Sequence, residues 1–177
     1  MNKENIHMNY YHESMGYLIR NDLQIQEDLE LILRETNKIK LYHHTYGDTN
    51  VIEKICIEAK KKGMYVIWNE NLDGNQLAPP NLVSAPVALD AVNWQEYKDK
   101  VKANVEKAKA CGADEFLAGN EISIHSNFDD VTLVSNIKGL VVEVQNLFDG
   151  FVGIQEGWWK KDAFALLSSV APTAITF

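Results

Sequence analysis

The chain of 177 residues is predicted to be an α/β protein built on a parallel sheet. Amphipathic helical segments alternate along it with short apolar segments of strand length, and turns that contain glycine often separate the two. Strands that are separated by a helix pair in parallel, because a parallel connection needs a crossover long enough to hold a helix. At this length we expect one domain with its own core, and 46% hydrophobic with 24% charged residues is an ordinary globular composition.

The helices are predicted from apolar residues at helical spacing. In the first, Ile25, Leu29 and Ile32 form a stripe opposite acidic residues. The second ends in three lysines and Gly63, which suit the negative end of a helix and its C-terminal cap, and Gly112 ends the third in the same way. The predicted helices cover residues 22–36, 49–63, 93–112, 131–148 and 162–170.

Five apolar segments are predicted as strands, and they start near residues 39, 65, 115, 151 and 173. The segment 69–93 contains three prolines and interrupts the alternation, so it is predicted as a long loop. The polar segment 1–22 offers only Met15–Ile19 as a further strand. The predicted barrel domain therefore covers residues 23–177, after this polar segment.

Polar and aromatic residues collect directly after the predicted strands, whereas the helix-to-strand turns carry mainly glycine, lysine and aspartate. The strand-end groups are His43-His44-Thr45-Tyr46, Asn69-Glu70-Asn71, Asn120-Glu121 and Gln155-Glu156-Gly157-Trp158-Trp159. This asymmetry is typical of a (β/α)8 barrel, whose site lies at the carboxyl ends of the strands. A doubly wound sheet is the alternative, but the chain has no glycine-rich nucleotide-binding motif. We predict a partial TIM-type barrel with about five or six βα units.

Glutamate, amide and aromatic side chains at one rim are suited to carbohydrate. Sugar rings stack on aromatic faces, their hydroxyls bond carboxylates and amides, and glycosidic cleavage needs two carboxyl groups. Glu70, Glu121 and Glu156 are candidates for such a cleft, although acidic residues also follow strands for structural reasons. The predicted substrate-binding residues are His43, Asn69, Glu70, Asn120 and Glu156, with Trp68, Trp158 and Trp159 as stacking platforms or structural residues.

Residues 112–123, which contain Asn120-Glu121, resemble the fourth strand of the clan A glycoside hydrolases. Residues 62–67, 149–154 and 171–177 are similar to the third, fifth and sixth strands of the β-mannanase-like members, so the resemblance covers about residues 23–177. It implies retaining hydrolysis of a β-linked oligo- or polysaccharide. It also implies that Glu121 is the general acid/base and that Asn120 bonds the 2-hydroxyl of the sugar.

The resemblance also implies a nucleophile for which the chain has no counterpart. In the clan it is a glutamate at the end of the seventh strand, whereas this sequence reaches the sixth, and a full barrel takes about 250 residues. Lys40 is the only cation near the end of the second strand, where the clan often has arginine. The chain is therefore expected to be either part of a hydrolase or a non-catalytic carbohydrate-binding or scaffold module. We expect self-association or a C-terminal remainder to cover the open sheet edge.

Composition argues against several other partners and cofactors. With 17 basic and 25 acidic residues the net charge is −8, which disfavours nucleic acid and anionic membranes. No apolar stretch has the length of a transmembrane helix, and no signal-peptide core is visible. A cytoplasmic location is therefore expected unless the N-terminus has been processed.

Neither a metal nor another cofactor is predicted. Adjacent His43 and His44 point to opposite faces of a strand, so each is expected to be a polar lining residue or a hydrogen-bonded core residue. Cys56 and Cys111 are predicted as buried, reduced thiols. A lyase or aldolase barrel is disfavoured because no lysine lies at a strand end to form a Schiff base.

Overall fold

The structure, a computed structural model, describes residues 8–11, 21–44, 50–71, 94–120, 131–157 and 173–176. Within these ranges the chain forms six strands and four helices. The strands are β1 (Met8–Tyr11), β2 (Lys38–His44), β3 (Tyr65–Asn71), β4 (Glu115–Asn120), β5 (Phe151–Gly157) and β6 (Thr173–Thr176). The helices are α1 (Asp22–Glu35), α2 (Asn50–Lys61), α3 (Trp94–Cys111) and α4 (Val131–Leu147).

The six strands form one parallel sheet in the order β1-β2-β3-β4-β5-β6. Each strand lies beside the next one in the sequence, so successive right-handed crossovers place their helices on the same face. A doubly wound sheet reverses its strand order and carries helices on both faces. The prediction of a partial parallel barrel is therefore confirmed.

The hydrophobic core lies between the helices and one face of the sheet. Alternate strand residues point to this side, among them Ile39, Val66 and Phe116, each with no exposed surface. They pack against the predicted apolar stripes of the helices, such as Ile25 and Leu29 of α1. The helical spacing therefore identified the buried faces. None of the described helices is long and apolar enough to cross a membrane.

Glycines end α2 and α3 as the sequence predicted. Gly63 and Gly112 have φ angles of 74° and 84°, in the left-handed region that glycine adopts without steric cost. The N–H of Met64 then donates to the carbonyl of Ala59 at 3.0 Å, which closes the last turn of α2. Each helix can therefore stop abruptly and lead directly into the next strand.

The first strand lies closer to the N-terminus than the sequence indicated. β1 begins at Met8 and pairs with β2 from Ile39 onward, whereas Met15–Ile19 lies outside the described residues. The sequence of β1, MNYY, has too little apolar character to be recognised as a strand, and it is defined by its hydrogen bonds to β2. The sheet thus extends into the polar segment 1–22. The predicted helix at 162–170 also lies outside the described residues.

The two ends of the sheet carry different residues. Gly63, Gly112 and Gly150 come just before β3, β4 and β5, whereas Asn69 and Asn120 lie near the carboxyl ends of β3 and β4. Because the strands are parallel, these glycines and asparagines lie at opposite ends of the barrel wall. This is the arrangement that the barrel interpretation predicts.

Candidate functional site

A buried polar network occupies the face of the sheet that is turned away from the helices. Lys40 Nζ donates to Gln155 Oε1 at 2.6 Å, and Gln155 Nε2 donates to the Tyr42 hydroxyl at 3.0 Å. Asn69 Nδ2 donates to the same Gln155 oxygen at 3.3 Å. All four side chains are buried, and they come from β2, β3 and β5. The network therefore connects three strands and holds its amide groups in fixed orientations.

Asn120 joins this network because of an irregularity in β4. Asn69 Nδ2 also donates to Asn120 Oδ1, at 3.4 Å. Leu117 is the register partner of Asn69, so regular alternation would place Asn120, three residues later, on the opposite face. The pairing of β4 with β5 shifts between Leu117 and Asn120, and Asn120 then lies opposite Gln155. The bulge thus brings Asn120 to the face that carries Asn69.

One buried acceptor of the network lacks a hydrogen-bond donor among the described residues. The Oδ1 atom of Asn69 has no hydrogen-bond partner among the residues that the structure describes, and the side chain has no exposed surface. An unsatisfied buried carbonyl costs on the order of 1–3 kcal/mol. A hydroxyl donor at this atom would remove that cost.

Glu70, the next residue along β3, lies on the opposite face, within the core under the helices. Its Oε1 atom accepts from Trp68 Nε1 at 2.6 Å and lies 3.1 Å from His43 Nδ1. Its Oε2 atom accepts from Asn104 Nδ2 of α3 at 3.1 Å. A carboxylate only accepts, so the tautomer of His43 that hydrogen-bonds an ionised Glu70 carries its proton on Nδ1. Glu70 therefore has three side-chain donors and no exposed surface.

Three residues predicted to bind substrate, Glu70, Trp68 and His43, thus meet in this core cluster. His43 is the hydrogen-bonded core histidine that the sequence left open as one alternative, with 2% of its surface exposed. Trp68 has no exposed surface, and its ring centroid lies 5.4 Å from that of His43. A stacking platform needs an exposed ring face, and the Trp68 ring is enclosed.

The other predicted site residues are described in part or not at all. Glu121, Trp158 and Trp159 lie outside the described residues, as does the side chain of Glu156. Glu121 follows the last residue of β4 directly, and Glu156 is the register partner of Ile175 in β6. Their roles remain predictions.

The structure adds residues that the sequence analysis did not propose for the site. Gln155 belongs to one of the predicted strand-end polar groups but was given no binding role, and Tyr42 was predicted only as part of a strand. Asn104 was missed, although it falls on the apolar stripe of α3 together with Val101 and Val105. A single amide on an otherwise apolar helix face indicates a buried polar partner.

Two ionisable groups with raised pKa values lie at the amino ends of β3 and β4. Burial raises the pKa of Glu115 despite a hydrogen bond from Tyr65 and the charges of Lys40 and Lys38. Burial and the nearby Glu115 raise the pKa of Tyr65 to about 12. Among the described residues, no group of three or more histidine, cysteine, aspartate or glutamate side chains is placed to hold a metal.

Several solved structures share the fold of this chain, although comparison of its sequence with protein families and curated proteins finds no match. No protein-family model matches the chain, and no curated protein matches it in sequence. The GH113 β-mannanase AaManA from Alicyclobacillus acidocaldarius, in complex with ManMIm, matches with a TM-score of 0.65 and 15% identity, over 95% of this chain and 59% of its own. A complex structure of a GH113 β-1,4-mannanase matches with a TM-score of 0.61 and 14% identity. The match covers 85% of this chain and 55% of the mannanase chain.

A xylose isomerase domain protein from Planctomyces limnophilus matches with a TM-score of 0.56 and 17% identity, over 96% of this chain and 62% of its own. The chain spans somewhat more than half the length of the mannanases that it matches. At these identities the likeness concerns the fold. The predicted resemblance to the β-mannanase-like TIM barrels of clan A is therefore confirmed as a similarity of fold that covers most of this chain.

Proposed function

We propose that the chain is a glycoside hydrolase-like barrel that binds a β-linked oligo- or polysaccharide at the carboxyl ends of its strands. The observation that supports this best is the network of Asn69, Asn120 and Gln155, because fixed amides both donate to and accept from sugar hydroxyls. Asn120 is the most exposed of the three at 8%, whereas Asn69 has no exposed surface, so a sugar hydroxyl would meet the Asn120 amide first. Two structures with this fold are β-1,4-mannanases, so β-1,4-mannan is the first ligand to test.

In this proposal Glu121 is the general acid/base of a retaining mechanism. It follows Asn120, which would bond the 2-hydroxyl of the sugar at the cleavage point. Glu121 would protonate the departing oxygen and later deprotonate the attacking water. Glu156, Trp158 and Trp159 would line the cleft, and the mechanism requires neither a metal nor another cofactor.

The chain of 177 residues by itself is expected to bind saccharide weakly and to hydrolyse none. A retaining site needs a second carboxyl group about 5–5.5 Å from the first. Glu70 is buried on the other face of the sheet with three donors, which argues against it as that group. Glu156 is on β5, next to β4, so it would approach the sugar from the same side as Glu121.

The proposal is tested by calorimetric titration with β-1,4-mannohexaose and cellohexaose, followed by an assay for new reducing ends. We expect binding of at least one of them with a Kd of about 1 mM, and no turnover. Asn120→Ala should remove binding, whereas Gln95→Ala on the exposed side of α3 should not change it. No binding of either saccharide would refute the proposal. Turnover that Glu121→Gln abolishes would refute only the expected inactivity.

A non-catalytic carbohydrate-binding or scaffold module is the second candidate. It is favoured by the core position of Glu70, which leaves no described carboxyl group beside Asn120 on the network face. A strand followed by glutamate within about 60 codons downstream of Phe177 would favour the enzyme instead, because about 60 residues hold two βα units of a full barrel.

We also propose that the sheet edge at β6 is covered by a second copy or by further strands. Sedimentation at micromolar concentration tests this. A protease-resistant monomer would contradict it.

A further inference from the structure

We propose that Glu70 is a positioning residue for the saccharide-binding amides and acts through the carboxyl end of β3. This inference rests on the proposed function, since it assigns a role in the same site. Glu70 and Asn69 are consecutive, yet one lies in the core under the helices and the other in the network on the opposite face. Any displacement of the peptide between them moves both side chains.

Glu70 connects three elements at the carboxyl ends of the strands. Its donors are His43 from β2, Trp68 from β3 and Asn104 from α3. A carboxylate without exposed surface is costly to bury unless its oxygens are hydrogen-bonded, and here both oxygens are. These bonds therefore restrict the end of β3 relative to β2 and α3.

The network on the other face has little tolerance for movement. Asn69 Nδ2 reaches Asn120 at 3.4 Å and Gln155 at 3.3 Å, close to the upper limit for a hydrogen bond. A shift of about half an ångström at the end of β3 would break both contacts. Asn120 would then lose its hydrogen bond from Asn69, which is one of the contacts that orient its amide.

The hydrogen bonds of Glu70 suggest a pair of substitutions that distinguishes the loss of its negative charge from a displacement of the end of β3. In Glu70→Gln the Oε1 acceptor for Trp68 and His43 can remain, but the new amide nitrogen faces the donor Nδ2 of Asn104. The Asn104 amide can present its Oδ1 acceptor instead only by turning over, which disturbs the further interaction that this side chain makes. Adding Asn104→Asp replaces that donor by an acceptor and restores complementarity. If Glu70 positions β3, the single variant should be impaired and the double variant should recover.

The experiment compares four proteins by β-1,4-mannohexaose titration and by NMR of the side-chain amides of Asn69 and Asn120. They are the wild type, Glu70→Gln, the double variant with Asn104→Asp, and Leu133→Ala in the core of α4 as a destabilised control. We expect Glu70→Gln to weaken binding about tenfold and to shift both amide signals. The double variant should return to the wild-type values, and Leu133→Ala should leave them unchanged.

Two outcomes would overturn the inference. One is a Glu70→Gln protein with wild-type binding and wild-type amide signals, which would leave the proposed function intact. The other is a Leu133→Ala protein that loses binding and shows the same changes in the amide signals as Glu70→Gln. The changes in Glu70→Gln would then follow from lower overall stability and not from the position of β3. If the wild type binds no saccharide but the amide signals move and recover as expected, the positioning role stands and the proposed function fails.

Discussion

Lys60 and Asp114 join the amino ends of neighbouring units of the barrel, with Lys60 Nζ 2.8 Å and 2.7 Å from the two carboxylate oxygens of Asp114. Asp114 Oδ2 also accepts the N–H of Val66 in β3 at 2.7 Å, and the N–H of Asp114 donates to the Val66 carbonyl. One side chain thus connects α2, β3 and the start of β4 at the end opposite the candidate site.

Asp114→Ala is expected to lower the free energy of unfolding by about 1–3 kcal/mol. The substitution removes the side-chain acceptor of the Val66 backbone N–H and also the ion pair with Lys60. Urea denaturation at neutral pH measures the change. Lys61→Met, at an exposed pair within α2, is the control and should leave the unfolding midpoint unchanged. Equal midpoints for Asp114→Ala and the wild type would show that the Asp114 bonds add nothing.

Two glycine substitutions are expected to act in opposite directions. A Cβ added at Gly150 would clash with the Asp114 carbonyl oxygen and lie 2.7 Å from the Phe148 ring, so Gly150→Ala should lower the melting temperature. A Cβ added at Gly139 in α4 would meet no atom within 4 Å. Gly139→Ala should therefore raise stability by about 0.5–1 kcal/mol through helix propensity. Thermal unfolding of both variants checks the pair, and the same sign for both would contradict the packing described at Gly150.

Tyr65 is expected to make the fold sensitive to alkaline pH. Its pKa is raised from 10.0 to about 12, first by burial and then by the charge of Glu115. The folded state keeps the phenol proton where the unfolded state loses it, so stability is lost as pH rises from about 10 to about 12. Tyr65→Phe should show a smaller loss when unfolding is measured at pH 9 and 11. If the free energy of unfolding of Tyr65→Phe falls between pH 9 and 11 as much as that of the wild type, Tyr65 is not the group responsible.

The two cysteines are expected to be unreactive in the native protein. Both are free and buried, and Cys56 Sγ lies 3.5 Å from the carbonyl oxygen of Cys111. The hydrogen bond with Cys111 and burial raise the pKa of the Cys56 thiol, so little of its thiolate is available. The same hydrogen bond lowers the pKa of the Cys111 thiol, which is protected from a reagent by its burial. A disulfide reagent should label neither thiol in native buffer and both in denaturant. Rapid labelling of the native protein would show that the α2–α3 contact opens.

The sequence by itself determined the alternation of helices and strands, and hence the parallel barrel. Ile25, Leu29 and Ile32 reveal the buried side of α1 because a helix repeats every 3.6 residues, and Gly63 marks the end of α2 because only glycine adopts its φ angle at no cost. These are local properties that neighbouring residues encode. β1 was not identified from the sequence because MNYY lacks such a local signal and is a strand only through its pairing with β2.

Only the tertiary structure decided which strand-end residues share a face. Asn69 and Glu70 are adjacent and equally polar, yet one joins the amide network and the other enters the core. The face of Asn120 depends on a register shift between β4 and β5, which is a property of two paired strands rather than of either sequence. Glu70 can be buried because His43, Trp68 and Asn104 converge on it from three elements, and such convergence exists only after the chain has packed.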